Sequence, residues 1–390
     1  MGQETKTYDY RDPGAFPASV DGLELLVIPD GQERLRALLE LIDGAQSSLK
    51  LCFYIFAKDD TSTAVRDALA RAAERGVAAT LIVDGYGAEA DEEFMRPFCD
   101  AGGDFRCFSP RRSLRYLVRN HQKMAIADDE QAIIGGFNVE DDYFAPPAVN
   151  GWNDLAVRIT GDAMKPLLDW YAKLIEWTDA DGVEWRQVRR EVKSWSQGDG
   201  DVRWVVGGPT RGISSWAKQV GRDLSSGNSL HLMMAYFSPP KSLMQRIGGI
   251  AKRGEATLIM AGKSDNGATI GASRSLYHDL LESGAHLHEF MACKMHTKLL
   301  VVDDVTYIGS ANFDMRSLFI NLEIMLRVED AAFADRMRSF IEGHLPASRH
   351  ISKELHAKRN TLWNRIRWNA SWFLVSVADY TVSRRLNLGL

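Results

Sequence analysis

The sequence predicts an α/β protein of two related sandwich domains that build one active site at their interface. Three observations carry this expectation. The pattern His-x-Lys-x4-Asp occurs twice, as His121-Gln122-Lys123 with Asp128 and as His296-Thr297-Lys298 with Asp303. Each copy is followed by a small-residue turn ending in Asn, Gly135-Gly136-Phe137-Asn138 and Gly309-Ser310-Ala311-Asn312, and then by a carboxylate, Asp154 or Glu323. Around both copies, apolar runs and amphipathic stretches alternate in the same order, the pattern of strands layered with helices.

The first half opens with an apolar strand over 23–28 and a turn at Pro29-Asp30-Gly31. A helix follows, with Leu35, Leu38, Leu39 and Ile42 on one face, Asp30 and Glu33 as a capping box, and Gly44 as its stop. A buried strand over 48–56, a helix ending at Gly76 and a strand over 78–83 come next. The second half repeats the order: a strand over 202–206, Gly207-Gly208-Pro209, a helix, a strand over 229–237, a helix ending at Gly254 and a strand over 256–260. The segment 276–281, Gly284 and a strand over 286–290 then match 102–108. Residues 1–22 read as a loose lead-in, 23–195 as the first domain and 196–201 as a polar linker. The second domain runs from 202 to 349, and a basic, Trp-rich tail occupies 350–390.

A chain of 390 residues that is 45% hydrophobic can bury a large core. With 47 Lys plus Arg against 52 Asp plus Glu, it has no global field to attract polyanions, so a general nucleic-acid binder is disfavoured. Cys52, Cys99, Cys107 and Cys293 show no zinc spacing and read as buried, reduced thiols. His231, His278, His286, His288, His344, His350 and His356 have no partner at ligand spacing.

Two His, two Lys and two Asn suit a single phosphate. His121 and His296 divide nucleophilic attack and proton transfer, while Lys123, Lys298, Asn138 and Asn312 hold the oxygens, with no metal or cofactor implied. Asp154 and Glu323 accept from imidazole Nδ1 and fix the tautomer. Asp128 and Asp303 belong to the same repeated motif, but their offset of five turns them from the His and Lys side, which favours structural salt bridges near the site. Ser310 lies beside Asn312, within reach of a phosphate, although its counterpart is Gly136.

These residues resemble the phospholipase D superfamily, and within it the bacterial cardiolipin synthases. The stretch Gly309-Ser310-Ala311-Asn312-Phe313-Asp314-Met315-Arg316-Ser317, continuing to Glu323, is similar to that subgroup's second motif. Gly135-Gly136-Phe137-Asn138, Tyr143 and Trp152-Asn153-Asp154 agree in the first half, and the likeness covers about 23 to 345. Gln122 stands where many relatives carry Arg, and no spanning helices precede the catalytic part as they do in some relatives. The resemblance implies two pseudo-twofold-related domains, His121 as nucleophile, His296 as acid then base, and Asp154 and Glu323 each pairing across the halves. It further implies a phosphatidyltransferase that moves a phosphatidyl group from phosphatidylglycerol or a related lipid to a lipid hydroxyl. A hydrolytic phospholipase D, a nuclease of the superfamily and a silent membrane scaffold are the rivals.

The stretch from Phe108 to His121 is seven residues longer than that from Phe290 to His296. Within it Arg111, Arg112, Arg115 and Arg119 share one quadrant of a helix, a basic amphipathic element suited to anionic headgroups. In the tail, Trp363, Trp368 and Trp372 are interleaved with Arg365 and Arg367, and no apolar stretch is long enough to span a bilayer. Phospholipid substrates, an anionic membrane surface and peripheral attachment to a bacterial inner membrane from the cytoplasmic side are therefore expected. The oligomeric state stays open.

Overall fold

The computed structural model describes residues 8–108, 118–179, 185–195, 197, 200–210 and 213–378. The first half supplies strands β1 (Phe16–Val20), β2 (Leu23–Ile28), β3 (Ser48–Phe53), β4 (Ala78–Asp84), β5 (Asp104–Phe108), β6 (Met124–Ala127), β7 (Gln131–Gly135), β8 (Trp152–Asn153) and β9 (Ala156–Thr160). The second supplies β10 (Val202–Gly207), β11 (Ser229–Met234), β12 (Phe237–Ser238), β13 (Glu255–Ala261), β14 (His286–Phe290), β15 (Lys294–Met295), β16 (Lys298–Val302), β17 (Val305–Gly309), β18 (Phe313–Asp314), β19 (Glu323–Glu329) and β20 (Ser348–Ile351).

Two eight-stranded sheets result, ordered β1-β2-β9-β7-β6-β3-β4-β5 and β10-β19-β17-β16-β11-β13-β14-β20. The run from β2 to β5 matches the run from β10 to β14 strand for strand. β3, β4 and β5 pair in parallel, as do β11, β13 and β14, and the other matched pairs are antiparallel. β1 and β20 are unmatched additions on opposite edges.

Local chemistry accounts for the helix ends. Asp30 accepts from the Glu33 N–H at 2.9 Å and caps the helix Gly31–Gly44. The Glu33 carboxylate takes the Ala15 N–H instead of turning back, so only half of the expected reciprocal box forms. Asp59 caps Asp60–Glu74 in the same way, and Gly76, at φ +89°, reverses the chain after it.

Each sheet covers one face with its own helices, over cores that include Leu38, Leu69 and Phe98 in the first half and Trp216, Ile247 and Leu280 in the second. The opposite faces share a central core, with Val157 and Ile159 from one sheet and Leu326 and Val328 from the other. Trp170, Val192 and Met337 of the helices Lys165–Asp179, Trp185–Ser194 and Ala331–Glu342 join it. A fully buried large apolar side chain is worth about 1.5–3 kcal/mol, so this shared core holds the halves as one unit.

Several expectations change. From residue 8 onward the lead-in is ordered: Phe16–Val20 pairs with β2, and the Tyr10 ring packs against Phe290 of the other half. Just before the polar linker lies the helix Trp185–Ser194, which buries Val188 and Val192. Cys99 and Cys107 are exposed, while Cys52 and Cys293 are buried. The tail forms two helices, Lys353–Arg359 and Leu362–Trp372, and the second packs along Gly267–Ser275. Trp368 is buried there and Trp363 is exposed. Arg111, Arg112 and Arg115, like the tail beyond residue 378, lie outside the described residues.

Candidate active site

Each motif enters its sheet at or directly after its lysine. Lys123 precedes β6, whose Met124 lies opposite Cys52 of β3, while Lys298 begins β16 opposite Met234 of β11. The site therefore sits where β3 and β11 end, and each histidine reaches it on an arm that crosses to the other half. The His121 N–H donates to the Leu322 carbonyl at 2.9 Å, and the His296 N–H to the Asn153 carbonyl at 2.8 Å. Both acceptors immediately precede the carboxylates, so the arms deliver each imidazole to the opposite half's acid. His121 Nδ1 lies 3.1 Å from Glu323 Oε2, and His296 Nδ1 lies 2.7 Å from Asp154 Oδ2.

Both lysines are buried beside their own histidines. Lys123 Nζ donates to the His121 carbonyl at 2.6 Å, and Lys298 Nζ donates to the His296 carbonyl and sits 2.8 Å from His296 Nδ1. Burial lowers both ammonium groups, Lys123 to about 7 with Lys298 adding to the effect, and Lys298 to about 8 against the pull of Asp154 and Glu323. Burial, then Lys123, Lys298 and Arg316, hold His121 well below the usual imidazole range. Burial and Lys298 bring His296 to about 3. Two buried ammonium groups beside two imidazoles are a setting suited to a phosphate.

The two acids differ. Burial raises Glu323 to about 7, even though Lys123 opposes it and the hydroxyls of Ser310 and Ser317 both donate to it. Burial acts on Asp154 as well but is outweighed by His296, Lys298 and Arg34, leaving its carboxyl below the ordinary value. One dyad thus has an acid held toward its ionised form, and the other an acid held toward its protonated form.

Asn138 Oδ1 accepts from the Ile55 N–H at 3.1 Å, and its side chain also hydrogen-bonds Tyr143, which fixes the amide beside the His296 ring. Asn312 is also buried, and its Oδ1 has no hydrogen-bond partner among the described residues. Tyr143 stacks on Trp152 and meets the His296 ring edge-on at 5.0 Å, while Tyr54 lies 4.8 Å from the His121 ring. The arrangement provides two oriented imidazoles, two ammonium groups and two amides around one space.

Comparison with known proteins places this geometry. The family described as "Cardiolipin synthase, PLD-like domain" matches residues 38–175 and 223–345. The chain belongs to this phospholipase D-like family. It is 28% identical over 362 residues to the major cardiolipin synthase of Bacillus subtilis (strain 168), covering 89% of this chain and 74% of that one. A cardiolipin synthase of Listeria monocytogenes serotype 4a (strain HCC23) is likewise 28% identical, over 90% of this chain and 74% of its own. In fold, the chain is similar to the crystal structure of phosphatidylserine synthase from Haemophilus influenzae Rd KW20, with a TM-score of 0.72 and 14% identity over 95% and 96% of the two chains. Membership makes this phospholipase D-like chain a phosphatidyltransferase.

Of the residues expected from sequence, His121, Lys123, Asn138, Asp154, His296, Lys298, Asn312 and Glu323 come together. Asp128 and Asp303 do not. Each sits at the far end of its motif strand in a left-handed conformation, φ +54° and +48°. Asp128 takes the N–H groups of Gln46, Ser47 and Ser48, and Asp303 those of Asn228 and Ser229. They are turn-holding carboxylates remote from the histidines, and neither catalysis nor a salt bridge describes them. Ser310 also changes role, because its buried hydroxyl is committed to Glu323 rather than to the pocket space. Arg119 is mostly buried with its guanidinium 3.8 Å over the Tyr86 ring, not displayed on a basic surface. Gln122, the departure from many relatives, accepts from Trp170 Nε1 at 2.6 Å and ties its arm to the central core.

Sequence reasoning missed the supports. Arg34, fully buried, donates to the carbonyls of Pro29, Asp154, Tyr143 and Trp152 and so fixes the main chain on both sides of Asp154. Asp84 caps the other arm by accepting the Asn120 N–H at 2.7 Å together with those of Tyr86 and Gly87. Asn153 donates to Tyr10 and Asp12 of the lead-in. Nothing in the repeat marks these residues, since none has a counterpart at the same register. Ser317 was visible only as part of the motif string.

Proposed function

We propose that the chain transfers a phosphatidyl group from phosphatidylglycerol, or a related phospholipid, to the hydroxyl of a second lipid through a phosphatidyl-histidine at His121. The observation that carries this reading is the pair of cross-domain dyads enclosing one cationic pocket. Neutral His121, with Nδ1–H on Glu323, offers the Nε2 lone pair to phosphorus. His296 lies beside ionised Asp154, which favours its charged form; once the phosphate anion offsets Lys298 it takes up a proton, and it protonates the departing glycerol oxygen. Lys123, Lys298, Asn138 and Asn312 take the charge that grows on the phosphoryl oxygens. In the second half-reaction His296, now neutral, removes the proton from the acceptor hydroxyl, which displaces His121 from phosphorus. One phosphodiester replaces another, so no external energy source is needed.

The acceptor is then a second phosphatidylglycerol and the product cardiolipin, formed at an anionic membrane surface. We place the enzyme on the inner membrane of a bacterium, attached from the cytoplasmic side. Among the described residues no helix is long and apolar enough to cross a membrane. Purified protein with phosphatidylglycerol vesicles, and products resolved by mass spectrometry, test the reading. Cardiolipin with stoichiometric glycerol supports it; phosphatidic acid alone assigns hydrolysis instead, and no lipid product overturns it.

A further inference from the structure

Eight large apolar side chains are exposed among the described residues, and five of them, Leu362, Trp363, Ile366, Phe373 and Leu374, lie in one short stretch. They belong to the helix Leu362–Trp372 and the wider π-helical turn Phe373–Ala378 that continues it. The other side of this helix is firmly seated. Trp368 is 4% exposed and stacks on His356, and a Cβ at Gly271 would lie 2.6 Å from Ser371 Oγ, so the helix Gly267–Ser275 is in close contact. At 100° per residue the five exposed side chains cover about 120° of circumference, opposite Trp368. The strip is therefore what remains after docking, not the surface that docks.

Its edges are basic. Arg365 and Arg367 are exposed and bracket the strip on its two sides, and no acidic residue occurs from Ala357 to Ala378. Its far end adjoins the pocket. The turn Phe373–Ala378 packs against the helix Met315–Phe319, which starts directly after Asn312-Phe313-Asp314 and carries Arg316, a cation that depresses His121.

We propose that this strip is the surface on which the enzyme rests on an anionic bilayer, with Leu362, Trp363, Ile366, Phe373 and Leu374 among the acyl chains and Arg365 and Arg367 at the phosphates. The inference rests on the lipid-transfer reading and adds to it an orientation: the pocket opens beside the face that lies on the membrane. A bilayer fits better than a second copy of the chain. In a twofold contact the arginines rimming one strip would meet those rimming the other, whereas lipid phosphates pair with them.

The test compares the full chain with two variants, Ile366→Glu/Phe373→Glu and Arg365→Gln/Arg367→Gln, by cosedimentation with vesicles of equal phosphatidylglycerol and phosphatidylcholine. Turnover of dihexanoyl phosphatidylglycerol below its micelle concentration and sedimentation velocity complete the set. The acidic variant is expected to lose about tenfold or more in vesicle affinity, and the glutamine variant to lose the salt-sensitive share of binding. Both should keep their turnover of the monomeric lipid and their sedimentation coefficient. Parent-like vesicle binding by both variants overturns the proposal. So does an acidic variant that dissociates a dimer while its lipid binding is unchanged. If the parent binds vesicles through the strip but turns over no lipid, the transfer reading fails and the surface stands.

Discussion

His121 Nδ1 lies 3.1 Å from Glu323 Oε2 while the His121 N–H bonds the carbonyl of Leu322, the residue before that glutamate. His296 repeats the relationship with Asp154 and Asn153. Each half therefore carries an imidazole without its acid and an acid without its imidazole. The duplication is chemically useful only when the halves are packed, which is why the shared core around Trp170 and Val192 belongs to the mechanism as much as to stability.

The two histidines should fail differently. His121→Ala is expected to abolish both turnover and phosphoenzyme, whereas His296→Ala should slow turnover by about 1000-fold or more yet retain a phosphoenzyme with a donor whose leaving group needs no proton. Acid-quench detection of phosphohistidine with a p-nitrophenyl phosphodiester checks this. A phosphoenzyme in the His121 variant alone would exchange the roles.

Replacing Lys123 or Lys298 by Met should lower kcat about 100- to 1000-fold, since each removes a charge aimed at the phosphoryl oxygens. Because the lysines also depress the imidazoles, the bound-anion state should show the opposite sign of perturbation. Vanadate or phosphate binding is expected to raise the histidine pKa values in the parent and much less in the Met variants, as read by NMR titration.

Glu323 sets the acid limb of the pH profile. Its carboxyl, raised to about 7, must be ionised to support positive charge on His121, so kcat/KM should fall as pH drops below about 7. Ser310→Ala or Ser317→Ala removes a donor that favours the ionised form, and the limb should move to higher pH. The linkage sign for folding runs the other way. Glu323's contribution is fully present below the ordinary glutamate value, near 4.5, and is lost as pH rises through about 7. A limb that does not move in either serine variant would sever Glu323 from the profile.

The sequence displayed the reacting groups because catalysis needed them twice, at matching registers: His121 with His296, Lys123 with Lys298, Asn138 with Asn312. The strand order could also be followed, since the buried runs in β3, β4, β11 and β13 are bounded by capped helices and glycine turns. What stayed hidden was asymmetric or distant in sequence. Arg34 reaches Asp154 from 120 residues away, and Tyr10 and Asp12 lie in a polar stretch with no periodicity. The motif aspartates misled for a related reason. Repetition marks shared geometry, and the shared geometry here includes a turn outside the pocket.

Asp128→Asn should accordingly leave kcat unchanged and destabilise the fold by about 1–2 kcal/mol, the cost of weakening several hydrogen bonds to a carboxylate. Those backbone N–H groups lower Asp128 to about 2. Its stabilisation is present above the ordinary aspartate value and disappears as pH falls through about 2, so the gap between parent and variant should narrow in acid. Thermal melts at pH 7 and pH 2.5, with turnover measured alongside, check both halves of the statement.

Gly136 offers the last prediction, because it stands where the second half has Ser310. A Cβ at Gly136 would come within 2.4 Å of Asp154 Oδ1 and 3.0 Å of Lys298 Cδ, whereas the Ser310 side chain fits beside Glu323 and donates to it. The Asp154 side thus has no room for the hydroxyl that steadies the Glu323 side. Gly136→Ala should push Asp154 off His296 Nδ1 and lower kcat by about 100-fold. It should also lower the His296 pKa further, as read by NMR titration, because the ring loses the partner that favours its charged form. Ser310→Gly, the reciprocal change, should cost less than tenfold and act on the acid limb alone. If the two substitutions give equal losses and the same pH profile, the two dyads are interchangeable and the division of labour between His121 and His296 is wrong.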